Sequence, residues 1–393
     1  MTGDGPEYGG AELKSNGAGG ALAHAHPGGM VVGSAPEDLV DQVQLLIGRG
    51  HKIDEALLDA LFRGWSVNTR RAFRSDIALW SEWCRQRQVS SVSAGPGEVV
   101  GWIVALVNGT ADRQAPRAMA TIERYLVNVG RAYRLLKLDD PTAVELVKLE
   151  LRAVRKDLGV RQRQALGLRF KGDVVDLDGP SAPFSLANLL KGCGRDVMGA
   201  RDAALLRIAY DTAARRSELV AIEVPDIEGP DSDGAGVLHM SSSKTDRDRA
   251  GADAYLSRAT MTAIARWRKV AMIDKGPLLR RVITHFDGSF DRVGSSALHP
   301  NSVTLIFKRV IRTTWEKGFF GDMSEGDLER RLRAVSSHSI RVGVAQDSFA
   351  AGESIGAIMQ SYRWRDARTV MRYGSKLSAK SGTSARLAMR FEE

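Results

Sequence analysis

Two stretches in the first half of the chain repeat apolar residues at helical spacing. Within residues 66–84 the apolar positions follow at intervals of four, three and four: Phe73, Ile77, Trp80 and Cys84. Within residues 117–137 they form a second stripe: Ile122, Leu126, Val129, Tyr133 and Leu136. This spacing places each set on one face of an α-helix. Asn68 or Thr69 precedes the first stripe and is expected to cap that helix.

Arginines lie off both apolar stripes. They are Arg70, Arg71 and Arg74 in the first predicted helix, and Arg124, Arg131 and Arg134 in the second. Such residues are typical of the solvated face of any amphipathic helix. They equally suit a helical domain that grips the phosphates of a DNA duplex. The pattern leaves both interpretations open.

Changes in composition divide the chain into segments. Residues 1–34 contain ten glycines, and they bury too little apolar surface to offset the entropy of ordering. Residues 152–168 are polar, basic and interrupted by Gly159, which favours a linker. The predicted divisions are a disordered tail, a helical DNA-binding domain, a linker and a second, mostly helical domain: 1–36, 37–158, 159–164 and 165–393.

The second domain has one clear β signal, in Gly236–Ser257, directly after the turn-rich sequence GPDSDGAG. We predict two short strands on either side of the exposed loop SKTDRDRAG, which places Lys244 in a hairpin loop. The predicted fold is therefore mainly α, with two domains and a small β-sheet or hairpin.

Charge indicates the class of partner. The chain carries a formal net charge of +9. Residues 1–60 hold three basic and nine acidic residues, whereas residues 61–393 hold 53 basic and 38 acidic ones, a net charge of +15. A body this basic favours a polyanion, with nucleic acid ahead of a membrane surface. Other basic soluble proteins share this feature.

The remaining composition excludes several classes of protein. Only two cysteines are present, Cys84 and Cys193, which excludes a disulfide scaffold and a cysteine-based metal cluster. The longest apolar run, VVGWIVALV, has half the roughly 18 residues that a membrane span requires. No basic stretch followed by an apolar one marks a secretory signal near the first residue. We expect a reducing, cytoplasmic location.

Three pairs of residues in the second domain carry potential chemistry. His338 and Arg341 are three residues apart at the start of a helical pattern, and Arg215 and Glu218 have the same spacing. Such spacing places both members of a pair on one helical face. The third pair, Trp364 and Tyr373, stands nine residues apart. Each pair alone is also typical of a solvated face, an ion pair or ordinary packing.

Together with Lys244, these pairs suit phosphate chemistry. Two arginines can hold the non-bridging oxygens of one phosphodiester, and a histidine can move a proton near neutral pH. A lysine can protonate a leaving oxygen, and a tyrosine can attack phosphorus to form a covalent ester. We find no acidic metal cluster and no P-loop motif, so neither a metal nor another cofactor is expected.

The order of these residues resembles that of the tyrosine recombinase (phage integrase) family. Arginine, hairpin lysine, His-x-x-Arg, tryptophan and tyrosine follow in that order, and HSIRVGVAQD and SIGAIMQSYRW are similar to motifs of the Cre-like phage and plasmid branch. NTRRAFRSDIALWSEWC resembles the first DNA-gripping helices of the same branch. The likeness covers roughly residues 65–393. It implies a helical core-binding domain and a catalytic domain that clamp DNA between them.

The resemblance implies how the proton-transfer groups act. Tyr373 would be the nucleophile, giving a 3′-phosphotyrosyl link and a free 5′-hydroxyl. Lys244 would be the general acid for that hydroxyl, and His338 would assist the proton of the nucleophile. Because the phosphotyrosine keeps the energy of the broken bond, neither ATP nor metal would be required.

The resemblance also implies how the scissile phosphate is held. Arg215 and Arg341 would clamp it, and Trp364 would hydrogen-bond it through the indole N–H. Glu218 would buttress the active-site arginine and histidine.

Two departures from the family pattern matter. The Gly-Gly that precedes the tryptophan in the branch is replaced by Tyr362 and Arg363, which offers Tyr362 as a rival nucleophile. The interval from the tryptophan still favours Tyr373.

In the predicted groove-reading helix HPNSVTLIFKRVIR, Asn301 stands where the branch has a base-contacting arginine. Asparagine prefers adenine edges, so a different target is expected. The residues expected to contact DNA are Arg70, Arg71, Arg74, Ser75, Arg117, Arg124, Asn301, Thr304 and Lys308.

The resemblance finally implies an assembly. Ser378–Phe391 is weakly helical, and in the family such a helix docks into a neighbouring subunit, although it can also pack on its own domain. A dimer on each pair of inverted half-sites in double-stranded DNA, and a tetramer that passes through a Holliday junction, would follow. No membrane and no small-molecule substrate are expected.

Two other functions stay open. One is a type IB topoisomerase-like relaxing enzyme, and the other is a catalytically inactive DNA-binding or architectural protein. In each case the setting would be the nucleoid of a bacterial or phage-infected cell.

Overall fold

The computed structural model describes residues 43, 60, 63–111, 115–159, 164–240, 251–375, 377 and 381–392. The chain divides into two compact units, Met1–Gln162 and Arg163–Glu393. The predicted disordered tail, residues 1–36, lies outside the described residues, and so does Lys244.

The described part of the first unit is built from four long helices. They are α1 (Val67–Gln86), α2 (Pro96–Asn108), α3 (Met119–Leu135) and α4 (Glu145–Leu158). Both predicted apolar stripes are buried in this unit, which confirms the two predicted helices. Aromatic rings form its centre, since Trp102 lies 5.1 Å from Trp80 and 5.7 Å from Tyr125 between ring centroids.

Two boundaries in the first unit differ from the prediction. The cap of α1 is Ser66, whose hydroxyl accepts the backbone N–H of Thr69 at 3.2 Å, so Asn68 and Thr69 lie inside the helix. The prediction of a linker from residue 152 is wrong as far as Leu158, because α4 continues to that residue. The narrow apolar stripe of α4 packs on the core of the unit while its many charged residues face outward.

The described strands all belong to the second unit and form two small antiparallel sheets. β1 (Ile227–Glu228), β2 (Gly236–Met240) and β3 (Ala252–Leu256) make one sheet in that order. The pairing of β2 with β3 confirms the two predicted strands around residues 241–250. The second sheet pairs β4 (Arg280–Thr284) with β5 (Phe290–Ala297). The sequence does not predict it, because both strands are largely exposed and lack a clean apolar alternation.

Ten helices lie in the described part of the second unit. They are α5 (Leu186–Gly192), α6 (Val197–Thr212), α7 (Arg216–Ala221), α8 (Arg258–Ala271), α9 (Ser302–Glu316), α10 (Glu325–Ala334), α11 (Ser339–Ala350), α12 (Ile355–Ser361), α13 (Ala367–Gly374) and α14 (Thr383–Phe391). The predominance of helix, with small antiparallel sheets, confirms the predicted fold class. In the described ranges every helix is too short or too polar to span a membrane.

Helix α6 is the centre of the second unit. It is buried along most of its length, and α8, α11 and β3 pack against it. The helix ends at Thr212, and Ala213 adopts a left-handed conformation with φ of +44°. This sharp exit turns the chain toward Arg215, so the buried end of α6 controls where Arg215 stands.

Candidate active site

Arg215 and Glu218 form a local clasp at the start of α7. Arg215 is the N-cap residue of that helix, and its backbone N–H donates to Glu218 Oε2 at 2.8 Å. Its guanidinium Nη1 donates to Glu218 Oε1 at 2.7 Å. The Arg215 side chain is 30% exposed and that of Glu218 is 11% exposed. The clasp holds the guanidinium in one orientation and leaves part of it accessible.

The charge of Glu218 is held by its arginine neighbours. Burial alone would raise the pKa of Glu218, but the two hydrogen bonds from Arg215 and the charges of Arg215 and Arg341 bring it below its usual value. Glu218 is therefore ionised at neutral pH and opposes part of the positive charge around it.

Arg341 extends from α11 to the same place. Its side chain is buried, with the residue 4% exposed, and it donates a hydrogen bond to the backbone carbonyl of Ala213. Burial and the charge of Arg215 lower the pKa of Arg341 to about 10, against the opposing effects of Tyr373 and Glu218. Arg341 therefore remains a cation at neutral pH, held beside a second cation by the surrounding structure.

His338 is the N-cap residue of α11, so it lies one helical turn from Arg341. The preceding segment is anchored to α9, because the backbone N–H of Ser337 donates to the Thr304 hydroxyl at 3.1 Å. His338 remains exposed to solvent, and its pKa is lowered by partial desolvation of the ring and by the positive charges of Arg341, Arg216 and Arg215. A neutral imidazole at pH 7 is the form that accepts a proton.

Trp364, between α12 and α13, and Tyr373, in the last turn of α13, complete the cluster. The Arg341 guanidinium carbon lies 5.1 Å from the centroid of the Trp364 ring, within cation–π range. The Trp364 and Tyr373 rings meet edge to face, with centroids 5.7 Å apart. Trp364 is 5% exposed, and its indole N–H lacks a hydrogen-bond partner among the described residues. The half-buried Tyr373 lies near enough to Arg341 to raise the pKa of its guanidinium.

Six of the seven predicted catalytic residues thus gather in one cluster of the second unit. They are Arg215, Glu218, His338, Arg341, Trp364 and Tyr373. The seventh, Lys244, lies outside the described residues, in the segment that joins β2 to β3.

Tyr362 has different surroundings from Tyr373. Burial raises the pKa of Tyr362, a hydrogen bond with Ser348 lowers it, and the nearby carboxylates Asp211, Asp347 and Glu353 raise it again. Negative charge opposes formation of a phenolate and repels a phosphate. Tyr373 instead lies near the cation of Arg341, so which tyrosine acts as the nucleophile stays a prediction.

Two features near the site were not predicted from the sequence. Asp347 anchors α11, since its carboxylate accepts hydrogen bonds from Arg169 Nε at 2.6 Å, from the Phe170 N–H at 2.7 Å and from the Tyr210 hydroxyl at 2.7 Å. Arg363 donates through Nη2 to the carbonyl of Thr212 at 3.0 Å. The only sequence signal for Arg363 is that it replaces a glycine of the family pattern.

The predicted DNA-contacting residues of the first unit are placed on α1 and around α3. Arg71 and Ser75 are exposed, whereas Arg70, Arg74 and Arg117 are partly buried. Arg124 is 48% exposed, but it pairs at 3.1 Å with Asp76, which is fully buried. Arg124 therefore already neutralises a carboxylate inside its own unit.

The predicted groove-reading residues of the second unit lie at the start of α9. Asn301 is exposed at the N-cap position, with its backbone N–H on His299 Nδ1 at 3.2 Å. Lys308 is partly exposed. Thr304 has the structural role described above, because its hydroxyl accepts the N–H of Ser337. Contact of these residues with DNA stays a prediction.

Comparison with known proteins decides the family. The model of the phage integrase family matches residues 183–379, a span that contains every residue of the cluster. The chain belongs to the phage integrase family. This integrase-family chain is 28% identical over 331 residues to the Cre recombinase of Escherichia phage P1, covering 83% of this chain and 89% of that protein. It is 26% identical over 314 residues to an integrase/recombinase XerD homologue of Selenomonas ruminantium, covering 78% and 81%.

Solved structures of a recombinase and of an integrase share the fold of this chain. One is the site-specific recombinase XerH bound to palindromic difH substrate in a post-cleavage complex, with a TM-score of 0.53, 11% identity, and 86% of this chain and 84% of that chain covered. Another is the Tn1549 transposon integrase with circular intermediate DNA, with a TM-score of 0.53, 13% identity, and 90% and 99% covered.

Proposed function

We propose that this protein is a site-specific DNA recombinase that acts through a covalent phosphotyrosine at Tyr373. As a phage integrase family member, it is an enzyme that cleaves and rejoins DNA. The observation that carries the specific proposal is the edge-to-face contact between Tyr373 and Trp364 beside the Arg341 guanidinium. This contact holds a phenol next to cations that suit the phosphate it would attack.

The proposed reaction exchanges one phosphate ester for another. The Tyr373 oxygen attacks phosphorus, a bond forms between them, and the bond from phosphorus to the 5′-oxygen of the DNA breaks. His338 accepts the phenolic proton, and Lys244 supplies a proton to the leaving 5′-oxygen. Attack by a 5′-hydroxyl of the partner strand reverses these steps and releases Tyr373. No net bond energy is lost, so ATP is not required.

The charged residues are suited to the transition state of this reaction. Negative charge grows on the non-bridging oxygens as the fifth bond to phosphorus forms. Arg215 and Arg341 are fixed by Glu218 and by the Ala213 carbonyl, so they need little rearrangement to meet that charge. The indole N–H of Trp364, which has no partner in the described part of the chain, supplies a further donor. His338 is neutral before attack, as its role requires.

The proposed substrate is double-stranded DNA with inverted half-sites, bound by a dimer, with two sites paired in a tetramer. XerH is described with a palindromic substrate, and a twofold-symmetric protein pair matches a palindrome. Exposed Asn301 supports a target with adenine at the matching position. We propose that the protein acts in the cytoplasm of a bacterial or phage-infected cell, without a membrane or small-molecule partner.

Covalent capture tests this function with no target sequence chosen in advance. A pool of duplexes with randomised half-sites and a nick near the scissile position traps the adduct, because the short fragment released by cleavage diffuses away. Sequencing the captured DNA is expected to give an inverted repeat. Relaxation of arbitrary plasmid by a monomer would instead favour a type IB topoisomerase-like enzyme. Specific binding without any adduct would leave only an inactive DNA-binding protein.

The pH dependence of cleavage should report His338. Since the pKa of His338 lies below its usual value of about 6.5, the ring loses its proton below neutral pH. The rate of adduct formation at sub-saturating DNA, which reflects the free enzyme, should therefore rise with pH to a midpoint under 6.5 and then level off. His338→Gln should remove this limb. A midpoint above 6.5 in the wild type would contradict the assignment.

Removing α14 should weaken assembly more than binding. The apolar residues of this helix are exposed in the single chain, by 45% for Leu387, 45% for Met389 and 82% for Phe391. Deleting residues 383–393 spares Ser381, whose hydroxyl is bonded to Asp173 at 2.8 Å. Gel-shift titration should show unchanged binding of the protein to one half-site and loss of the tetramer that pairs two DNA sites. The triple serine variant of the three apolar residues is the matched control that retains the backbone, and it should behave like the deletion.

A further inference from the structure

Arg363 adopts a backbone conformation that an arginine rarely has. Its φ is +56°, in the left-handed region that glycine enters without strain and other L-residues do not. The residue stands in the tight turn between α12 and Trp364. A strained backbone conformation of this kind is kept only when other contacts of the residue hold it in place. For Arg363 those contacts are made by the guanidinium, at the edge of the active site.

The side chain of Arg363 reaches the end of α6. Its Nη2 donates to the carbonyl of Thr212 at 3.0 Å, and Arg341 donates to the next carbonyl, that of Ala213. Two guanidinium groups from different segments therefore hold two consecutive carbonyls. Arg215 follows within three residues, so the turn that presents it is tied down from both sides.

Arg363 also adds charge to the cluster. Its guanidinium is close enough to Glu218 and Arg215 for both to affect its pKa, which burial lowers. Its Nη1 is buried and has no hydrogen-bond partner in the described parts of the chain. Among the described residues of the cluster, Arg215, Arg341 and Arg363 each carry a positive charge and Glu218 carries a negative one, which gives these four side chains a net charge of +2. An anion that gains charge during the reaction suits such a site.

We propose that Arg363 is a positioning residue for the phosphate-binding arginine Arg215, holding the Thr212 carbonyl and raising the positive potential where the scissile phosphate binds. This inference rests on the proposed function. It adds a third arginine, at a strained backbone position, to the residues that prepare the site for phosphoryl transfer.

Substitution by glycine separates positioning from folding. Arg363→Gly removes the cation but relieves the left-handed strain, so the melting temperature should stay within about 2–4 °C of the wild type. The single-turnover rate of adduct formation at saturating protein should fall about 10- to 100-fold, as expected for loss of a charged hydrogen bond. Affinity for the duplex captured by the wild type should be unchanged.

Three comparisons keep the test specific. Met272 also has a left-handed backbone conformation, with φ of +52°, and it is 89% exposed and lies outside the site. Met272→Gly relieves the same kind of strain and should leave the rate of adduct formation unchanged. Arg363→Lys should restore most of the rate. Free guanidinium ion at millimolar concentration, but not urea, should accelerate Arg363→Gly several-fold. A glycine variant as fast as the wild type, or one whose loss merely follows a lower melting temperature, overturns this inference alone. Absence of any wild-type adduct overturns the proposed function and this inference with it.

Discussion

Tyr373→Phe is expected to abolish the covalent protein–DNA adduct while leaving DNA binding and folding intact. The substitution removes only the oxygen that would bond to phosphorus, and loss of a nucleophile costs on the order of 10³-fold or more in rate. The phenyl ring can keep the edge-to-face contact with Trp364. Denaturing electrophoresis of protein with labelled, nicked duplex measures the adduct, and a gel shift measures binding.

Tyr362→Phe is the matched control for that experiment. Tyr362 stands two residues before Trp364, and its ring is also in contact with Trp364, with centroids 5.6 Å apart. Its hydroxyl faces carboxylates instead of the arginine cluster, so this variant should still form the adduct. If Tyr362→Phe loses the adduct and Tyr373→Phe keeps it, the assignment of the nucleophile is wrong and the rival position replaces it.

Arg341→Met should lower the rate of adduct formation by on the order of 10²- to 10³-fold, the range typical of losing one preorganised donor at a developing negative charge. The effect on folding should be small. The arginine makes a hydrogen bond to Ala213, but its charge is buried close to Arg215, and replacing a buried charge by an apolar side chain of similar volume is often neutral or stabilising. Single-turnover kinetics and thermal unfolding of the free protein measure the two quantities.

Arg268→Met is the control for this change. Arg268 is a partly buried arginine on α8 that likewise donates to a backbone carbonyl, that of Ile273, at 3.2 Å, and it is not part of the cluster. It should leave the cleavage rate unchanged. A normal rate in Arg341→Met, or an equal loss of rate in both variants, would contradict a specific role for Arg341 at the phosphate.

Local patterns in the sequence carried much of the fold and the identity of the cluster. The helices around Trp80 and Val129 follow from apolar spacing, which is decided within a few turns of helix. The hairpin strands β2 and β3 follow from turn residues beside short β segments. The family follows from the order along the chain of the arginine, lysine, His-x-x-Arg, tryptophan and tyrosine residues that suit phosphate chemistry. The cap at Ser66 does not follow from the sequence, because several residues nearby can cap a helix equally well, and the polar, basic composition of residues 152–158 obscures the helix α4.

What the sequence by itself determined is therefore the predominance of helix, the two amphipathic helices of the first unit, the β2–β3 strands and the residue types available for phosphate chemistry. Only the tertiary structure decided which groups meet. Arg363 reaches a carbonyl 151 positions away, Arg341 one that is 128 positions away, and Arg124 is drawn to buried Asp76. No local periodicity encodes such contacts, because each depends on how distant segments pack and on which buried polar groups still need a partner.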